Sequence, residues 1–91
     1  MARNPEWYAD EAHSREEFLT FLRVLREDRE EADEVARSLR AADVDAAPNG
    51  WDNWDIADYL RGMETFAETQ SLPEQPTWEL VARLLAAGKS R

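Results

Sequence analysis

Apolar residues recur every three or four positions along most of this chain, which is the period of an amphipathic α-helix. The clearest run follows Ser14, a good N-cap residue, and Glu17 completes a capping box three positions later. Its apolar positions are Phe18, Leu19, Phe21, Leu22 and Leu25. The pattern predicts a helix that begins at residue 15.

Beyond Leu25 the chain is strongly polar, but the helical period continues. The apolar residues that stay in phase are Ala32, Val35, Ala36 and Leu39. One helix over residues 15–42 fits this pattern, and so do two helices separated by a break at Glu27–Glu31. No Gly or Pro lies between residues 14 and 47 to mark a break, so we favour the continuous helix.

A turn and another helix are predicted next. Pro48, Asn49 and Gly50 disfavour regular structure and indicate a turn within residues 42–53. Asp55 is then placed to cap a helix. We expect its buried face to contain Ile56, Tyr59, Leu60, Met63 and Phe66.

The last helix is predicted after Pro73. Pro76 suits its first turn, because the N–H that proline lacks has no helical partner there, and Gly88 is a suitable end. Its apolar residues are Trp78, Val81, Leu84 and Leu85. No alternating run of β-branched residues indicates a strand. We therefore predict an all-α fold, a small single-domain bundle of three to four helices.

Residues 1–13 are interpreted as an N-terminal arm and residues 14–91 as the helical domain. Pro5 and the scattered charges disfavour a regular element in the arm. Trp7 and Tyr8 are costly to leave in water, so we expect the arm to dock on the domain. The predicted core comprises Phe18, Leu22, Leu25, Trp54, Tyr59, Leu60, Met63, Trp78, Val81 and Leu85.

Composition narrows the classes of function. The 91 residues include 20 Asp and Glu against 11 Lys and Arg, a net charge of -9 that repels phosphate backbones and disfavours direct nucleic-acid binding. Cysteine is absent, which excludes disulfides and thiolate zinc sites. No membrane span or apolar leader is visible, so we expect a cytoplasmic protein. Lys89 is the single Lys beside ten Arg, a bias typical of a GC-rich bacterial genome.

Three segments, in their order and spacing, resemble a family of small bacterial proteins known only as a domain of unknown function. They are S-R-E-E-F-L-T-F-L at 14–22, N-G-W-D-N-W-D-I-A-D-Y-L-R-G-M at 49–63 and P-T-W-E-L-V-A-R-L-L-A-A at 76–87. The resemblance implies a compact helical domain from Ser14 onward, with no assigned activity. Similar small acidic domains often resemble immunity proteins of bacterial toxin systems, which makes such a role one expectation.

Candidates for catalysis or metal binding are few. His13 is the only histidine, so almost no Ser–His or Cys–His pair can be assembled. The acids lie in polar surroundings rather than in an apolar pocket that would raise a pKa. A calcium loop with Gly50 sixth would put Ala47 third and Ile56 twelfth, neither with a side-chain oxygen. We predict no enzyme, no cofactor and no metal site.

Two clusters are candidate binding surfaces. Trp51, Trp54 and Trp78 could stack on a ligand, but aromatic residues in so small a domain more often form the core. Six acids lie between Glu27 and Glu34, where a helix would carry either a solvated face or a docking surface for a basic partner. The candidate partner-binding residues are Glu27, Glu30, Glu31 and Glu34.

Together these patterns favour a non-catalytic, acidic protein–protein interaction module, of which an immunity protein is one form. Its expected partner is a protein with a basic surface, and no membrane is involved. The alternative is a nucleic-acid mimic that blocks the basic groove of a nucleic-acid-binding protein, and an enzyme ranks third. The oligomeric state stays open, with a monomer slightly favoured.

Overall fold

A computed structural model describes residues 3–41 and 48–90. The α-helices are α1 (Pro5–Asp10), α2 (Arg15–Ala41), α3 (Ile56–Glu68) and α4 (Trp78–Ala87), and a 3₁₀ turn covers Pro48–Gly50. These residues contain no strand, so the predicted all-α fold is confirmed. No helix among them combines the length and the apolar character that crossing a bilayer requires.

The long second helix is continuous, as predicted. Ser14 accepts a hydrogen bond at its Oγ from the N–H of Glu17 at 3.2 Å. Glu17 in turn accepts from the N–H of His13 at 3.1 Å, so the reciprocal capping bond reaches one residue further back than expected. The predicted end of the helix at residue 42 lies outside the described residues, as does Ala47 of the calcium-loop comparison.

The prediction of an arm without regular structure is wrong for α1. Asn4 caps this helix, since its Oδ1 accepts from the N–H groups of Glu6 and Trp7 at 2.9 and 3.4 Å. Pro5 occupies the first helical position, where a missing N–H costs nothing. The helix packs on α2 and α4 and buries Ala9, while Trp7 stays 57% exposed.

The capping residues of α3 and α4 are defined by single hydrogen bonds. Asp55 caps α3 as predicted, accepting from the N–H of Asp58 at 2.7 Å. Thr77 caps α4, accepting from the N–H of Leu80 at 3.1 Å. Pro76 therefore precedes the cap, and its predicted place in the first turn is wrong. Gly88 ends α4 as predicted.

The core is narrower than the sequence indicates. Its members are Phe21, Leu25, Trp51 and several alanines. The alanines are small and let α1, α2 and α4 approach closely. Of the ten predicted core residues only Leu25 is buried. The half-buried ones are Phe18, Trp54, Tyr59, Met63, Val81 and Leu85. The prediction is wrong for Leu22, Leu60 and Trp78, which are 37%, 54% and 44% exposed.

Candidate functional site

The four glutamates proposed for partner binding are distributed along the middle of α2, and three of them have partners within the chain. Glu27 lies 2.8 Å from Arg3, and Glu30 lies 2.7 Å from Arg26. Glu31 accepts a hydrogen bond from Asn49 at 3.3 Å. The remaining candidate, Glu34, is exposed.

The pairing of Glu27 with Arg3 changes the proton affinity of both groups. The hydrogen bond from the guanidinium lowers the pKa of Glu27. The same hydrogen bond raises the pKa of Arg3. Both side chains are partly exposed, at 44% and 38%, so solvent screens the pair and its effect on stability is small.

One acid of this run is buried, which corrects the expectation of a solvated acidic face. Asp28 is 5% exposed. Its Oδ2 accepts from the indole N–H of Trp51 at 2.8 Å and lies 2.9 Å from the ammonium of Lys89. A helical position three residues after Leu25 and four before Ala32 belongs to the buried stripe. A lone acid within that stripe was the sequence signal for this site.

Lys89 completes a cluster that joins three parts of the fold. Its side chain is 4% exposed, and Nζ also lies 3.0 Å from Glu6 of α1. The ammonium lies 5.4 Å from the centre of the Trp51 ring, within range of a cation–π interaction. We call Asp28, Trp51 and Lys89, with Glu6, the Lys89 cluster. The sequence pattern distinguishes Lys89 only as the single lysine beside ten arginines.

The end of α4 is held by the segment that precedes α3. The N–H groups of Asp52 and Asn53 both donate to the carbonyl of Lys89, at 2.9 and 3.0 Å. The side-chain amide of Asn53 donates to the carbonyl of Gly88 at 2.8 Å. From α3, the hydroxyl of Tyr59 donates to the carbonyl of Leu85 at 2.6 Å. Carbonyls that the helix leaves without partners are thus satisfied.

The tight turn before Trp51 brings this segment into place. Asn49 and Gly50 have φ angles of 57° and 80°, the left-handed region that glycine and asparagine adopt most readily. Arg29 of α2 holds the other side, donating to the carbonyls of Asn53 and Trp54 at 3.0 and 2.9 Å. The segment is therefore fixed between α2 and α4.

The tryptophans have different environments. Trp51 is buried, which agrees with the interpretation of the tryptophans as core residues, although Trp51 is not among the ten predicted core positions. Trp54 is half-buried, and the guanidinium of Arg29 lies 4.4 Å from the centre of its ring. Trp78 is partly exposed and packs on Phe18, with 4.9 Å between the ring centres. The rings of Trp54 and Trp78 therefore contact other side chains of the fold, and the three tryptophans do not form one stacking site.

A concavity of about 520 Å³ lies between the α1–α2 junction and the start of α4. His13 and Glu79, 3.5 Å apart, are part of its lining together with Thr77. The Thr77 hydroxyl already caps α4. Within the described residues no buried side-chain polar atom lacks a partner, and no three metal-ligating side chains are grouped. Nothing in this concavity therefore points to a particular ligand.

The apolar stripe of α3 is wider than the surface that covers it. The helix packs on α4 with Tyr59 and Met63 half-buried and Gly62 buried. Burial raises the pKa of Tyr59 to about 12. Ile56 and Leu60, one turn apart on the next flank, are 78% and 54% exposed. We call these two side chains the α3 flank.

Comparison with known families assigns the region that carries this flank. Residues 14–90 match a family of unknown function, DUF7660. The chain belongs to this family. Curated proteins and solved structures gave no match.

The DUF7660 region contains α2, α3 and α4, and so the α3 flank and three members of the Lys89 cluster. It begins after α1, and Glu6 therefore lies outside it. The predicted resemblance to a domain of unknown function is thus confirmed at the level of the family.

Proposed function

We propose that this DUF7660 domain is a non-catalytic protein-binding module of the bacterial cytoplasm, and that the α3 flank is where it contacts its partner. The observation that carries this proposal is the exposure of Ile56 and Leu60 side by side on one helix. Fully burying such a side chain is worth about 1.5–3 kcal/mol. A partner that covered both would gain the share of this energy that corresponds to their exposed fractions, 78% and 54%.

A protein partner suits this surface better than a small molecule does. Small ligands are usually enclosed in concave sites that bury most of their surface. The two exposed side chains project from one flank of a helix, a form that another protein surface can cover. An immunity protein that binds a toxin is one module of this kind.

The acidic residues contribute charge rather than the principal contact. A net charge of -9 steers the domain toward a basic surface and raises the association rate. A nucleic-acid mimic would instead need a row of carboxylates open to a basic groove. Because Glu27, Glu30 and Glu31 have partners within the chain, this alternative ranks second.

A photo-crosslinking amino acid at position 60 tests the proposal in the cells from which the gene comes. We expect it to capture one protein, because Leu60 lies in the contact. The matched control is position 65, since Thr65 is exposed on the opposite side of α3. The captured protein, once purified, should bind the natural chain and lose affinity for an Ile56→Ser and Leu60→Ser double variant. Equal capture at both positions, or unchanged affinity of the double variant, would contradict the proposal.

A further inference from the structure

The α3 flank continues into a shallow cavity at the start of the helix. The cavity has a volume of about 220 Å³. Its lining residues are Arg29, Trp51, Trp54, Asp55, Ile56 and Tyr59. Ile56 belongs to both features, so the flank and the cavity form one apolar strip along α3. We call this strip the α3 groove.

The kind of contact that the groove can make is limited by the backbone. Inside a helix the N–H and C=O groups bond to each other, so α3 leaves main-chain groups open to a partner only at its two ends. The described residues contain no strand whose edge an extended peptide could join. What remains is side-chain packing along a helix, with anchors one turn apart at Ile56 and Leu60. Helices pack by setting the side-chain ridge of one into the groove of another, so a row of side chains one turn apart suits an incoming helix.

The acids around the groove outnumber the bases. Residues 52–68 contain the acids Asp52, Asp55, Asp58, Glu64 and Glu68, against the single base Arg61. Arg61 is already paired with Asp58 at 2.9 Å. Arg29 of α2 also lines the cavity, but it is paired with Asp33 at 2.9 Å. Glu64 follows Leu60 by one turn on the same side of the helix and is exposed. Lys or Arg side chains at the edges of an incoming helix would meet opposite charge here.

A second copy of this chain fits the groove poorly. Two copies would bring the same acids face to face, and each carries a net charge of -9. Like charges opposed at an interface cost binding energy. The charge pattern therefore favours a different protein.

We infer that the occupant of the α3 groove is an amphipathic helix of another protein, with apolar side chains facing Ile56 and Leu60 and Lys or Arg at its edges. The inference rests on the proposed function and specifies the chemistry of the partner. The apolar anchors set where the helix lies, and the acids around them set its charge.

Synthetic peptides test this partner chemistry directly. The probe is a peptide of Leu and Lys about 18 residues long, or five turns, with Leu at helical spacing. One control replaces every Lys with Glu, and the other keeps the composition but scrambles the Leu spacing. Each is titrated into the full ¹⁵N-labelled chain, with amide chemical shifts recorded. The Ile56→Ser and Leu60→Ser double variant is compared with Leu72→Ser, which alters a side chain that is 52% exposed outside the groove.

The expected result is that the Leu/Lys peptide shifts amides of residues 54–64. Its dissociation constant should rise about tenfold or more in the double variant, as loss of a hot spot does. Leu72→Ser should leave the affinity unchanged. The Leu/Glu peptide should not bind, and the scrambled peptide should bind at least about tenfold more weakly because its Leu residues share no face.

Several outcomes would overturn the inference. Binding of the Leu/Glu or scrambled peptide as tightly as the probe would show that the groove does not recognise a basic amphipathic helix. Amide shift changes centred outside residues 54–64 would show the same. Shifts in residues 54–64 that grow with protein concentration alone would assign the groove to a second copy. If no peptide binds but position 60 crosslinks a partner sensitive to the double variant, the binding function stands and the helical partner is wrong. If neither the peptide titration nor the crosslinking gives the expected result, both the helical partner and the proposed binding function are wrong.

Discussion

At the scale of single residues, the Lys89 cluster holds the two buried charges of the described residues, Asp28 and Lys89. Removing two charges from water is costly, and their attraction offsets this cost only when hydrogen bonds complete the site. Here Asp28 has both Trp51 and Lys89 within 2.9 Å. Neither charge is therefore isolated, but loss of either would leave the other unpaired.

Replacing Lys89 with Met should destabilise the fold by about 3–5 kcal/mol, because it leaves a buried carboxylate without its cation. The midpoint of urea unfolding measures this loss. Arg83→Met is the matched control, since Arg83 pairs with Asp10 and Glu79 at the surface, where each ion pair contributes about 0–1 kcal/mol. An additional Asp28→Asn change should recover part of the loss of Lys89→Met. Equal midpoints for Lys89→Met and Arg83→Met would show that the cluster contributes little.

Tyr59 links the stability of the fold to alkaline pH. Burial raises its pKa from 10.0 to about 12, so the folded chain holds the phenolic proton more strongly than the unfolded chain does. The resulting stabilisation is complete below pH 10.0 and is lost as the pH rises toward about 12. Tyr59→Phe removes this contribution together with the hydrogen bond to the carbonyl of Leu85, worth about 0.5–1.5 kcal/mol.

The expected result is that the natural chain is more stable than Tyr59→Phe below pH 10.0 and that this difference narrows above it. Urea unfolding at a series of pH values measures the difference. Comparing the two chains at each pH cancels the effect of every titrating group that both contain. A difference that stays constant through this range would contradict the assigned pKa.

At the scale of elements, local signals predicted where helices begin better than which faces they bury. Ser14 and Asp55 were recognised because a cap acts on the N–H groups of the next turn, within a few residues in sequence. Asn4 followed by Pro5 is an equally local signal for the start of α1. The sequence interpretation missed it because the scattered charges of residues 1–13 disfavour a helix. The coverage of α3 depends instead on where α4 lies, and periodicity does not contain that information.

Leu60 shows the energetic consequence of this difference. The apolar period assigns it to the core, where Leu→Ala costs about 2–5 kcal/mol. Because its side chain is 54% exposed, Leu60→Ala should cost less than about 1 kcal/mol. Leu25→Ala, at a buried position of α2, should cost the full amount. Thermal or urea unfolding of the two variants distinguishes these cases, and equal losses would place Leu60 back in the core.

At the scale of the whole molecule, α1 is part of the packed structure although it precedes the DUF7660 region. Ala9 is 1% exposed between its neighbours, and Glu6 contributes to the Lys89 cluster. The arm and the domain of the sequence interpretation therefore share one core. The charge pattern and the apolar period of the sequence could not show this shared core. Alanine adds little to an apolar pattern, and its burial depends on which other helices pack against it.

A chain that begins at residue 14 should therefore fold less stably than the full chain while keeping its helices. The deletion uncovers the apolar surface of α2 and α4 that α1 buries and removes one acid from beside Lys89. Circular dichroism should show the remaining helical signal, and the melting temperature should fall.

Ala9→Asp in the full chain should also lower the melting temperature, because a carboxylate at that buried position has no partner. Trp7→Ser is the control: its side chain is 57% exposed, so this change should have a much smaller effect. If the deletion melts at the same temperature as the full chain, α1 adds nothing to the core, and residues 14–91 form the domain by themselves.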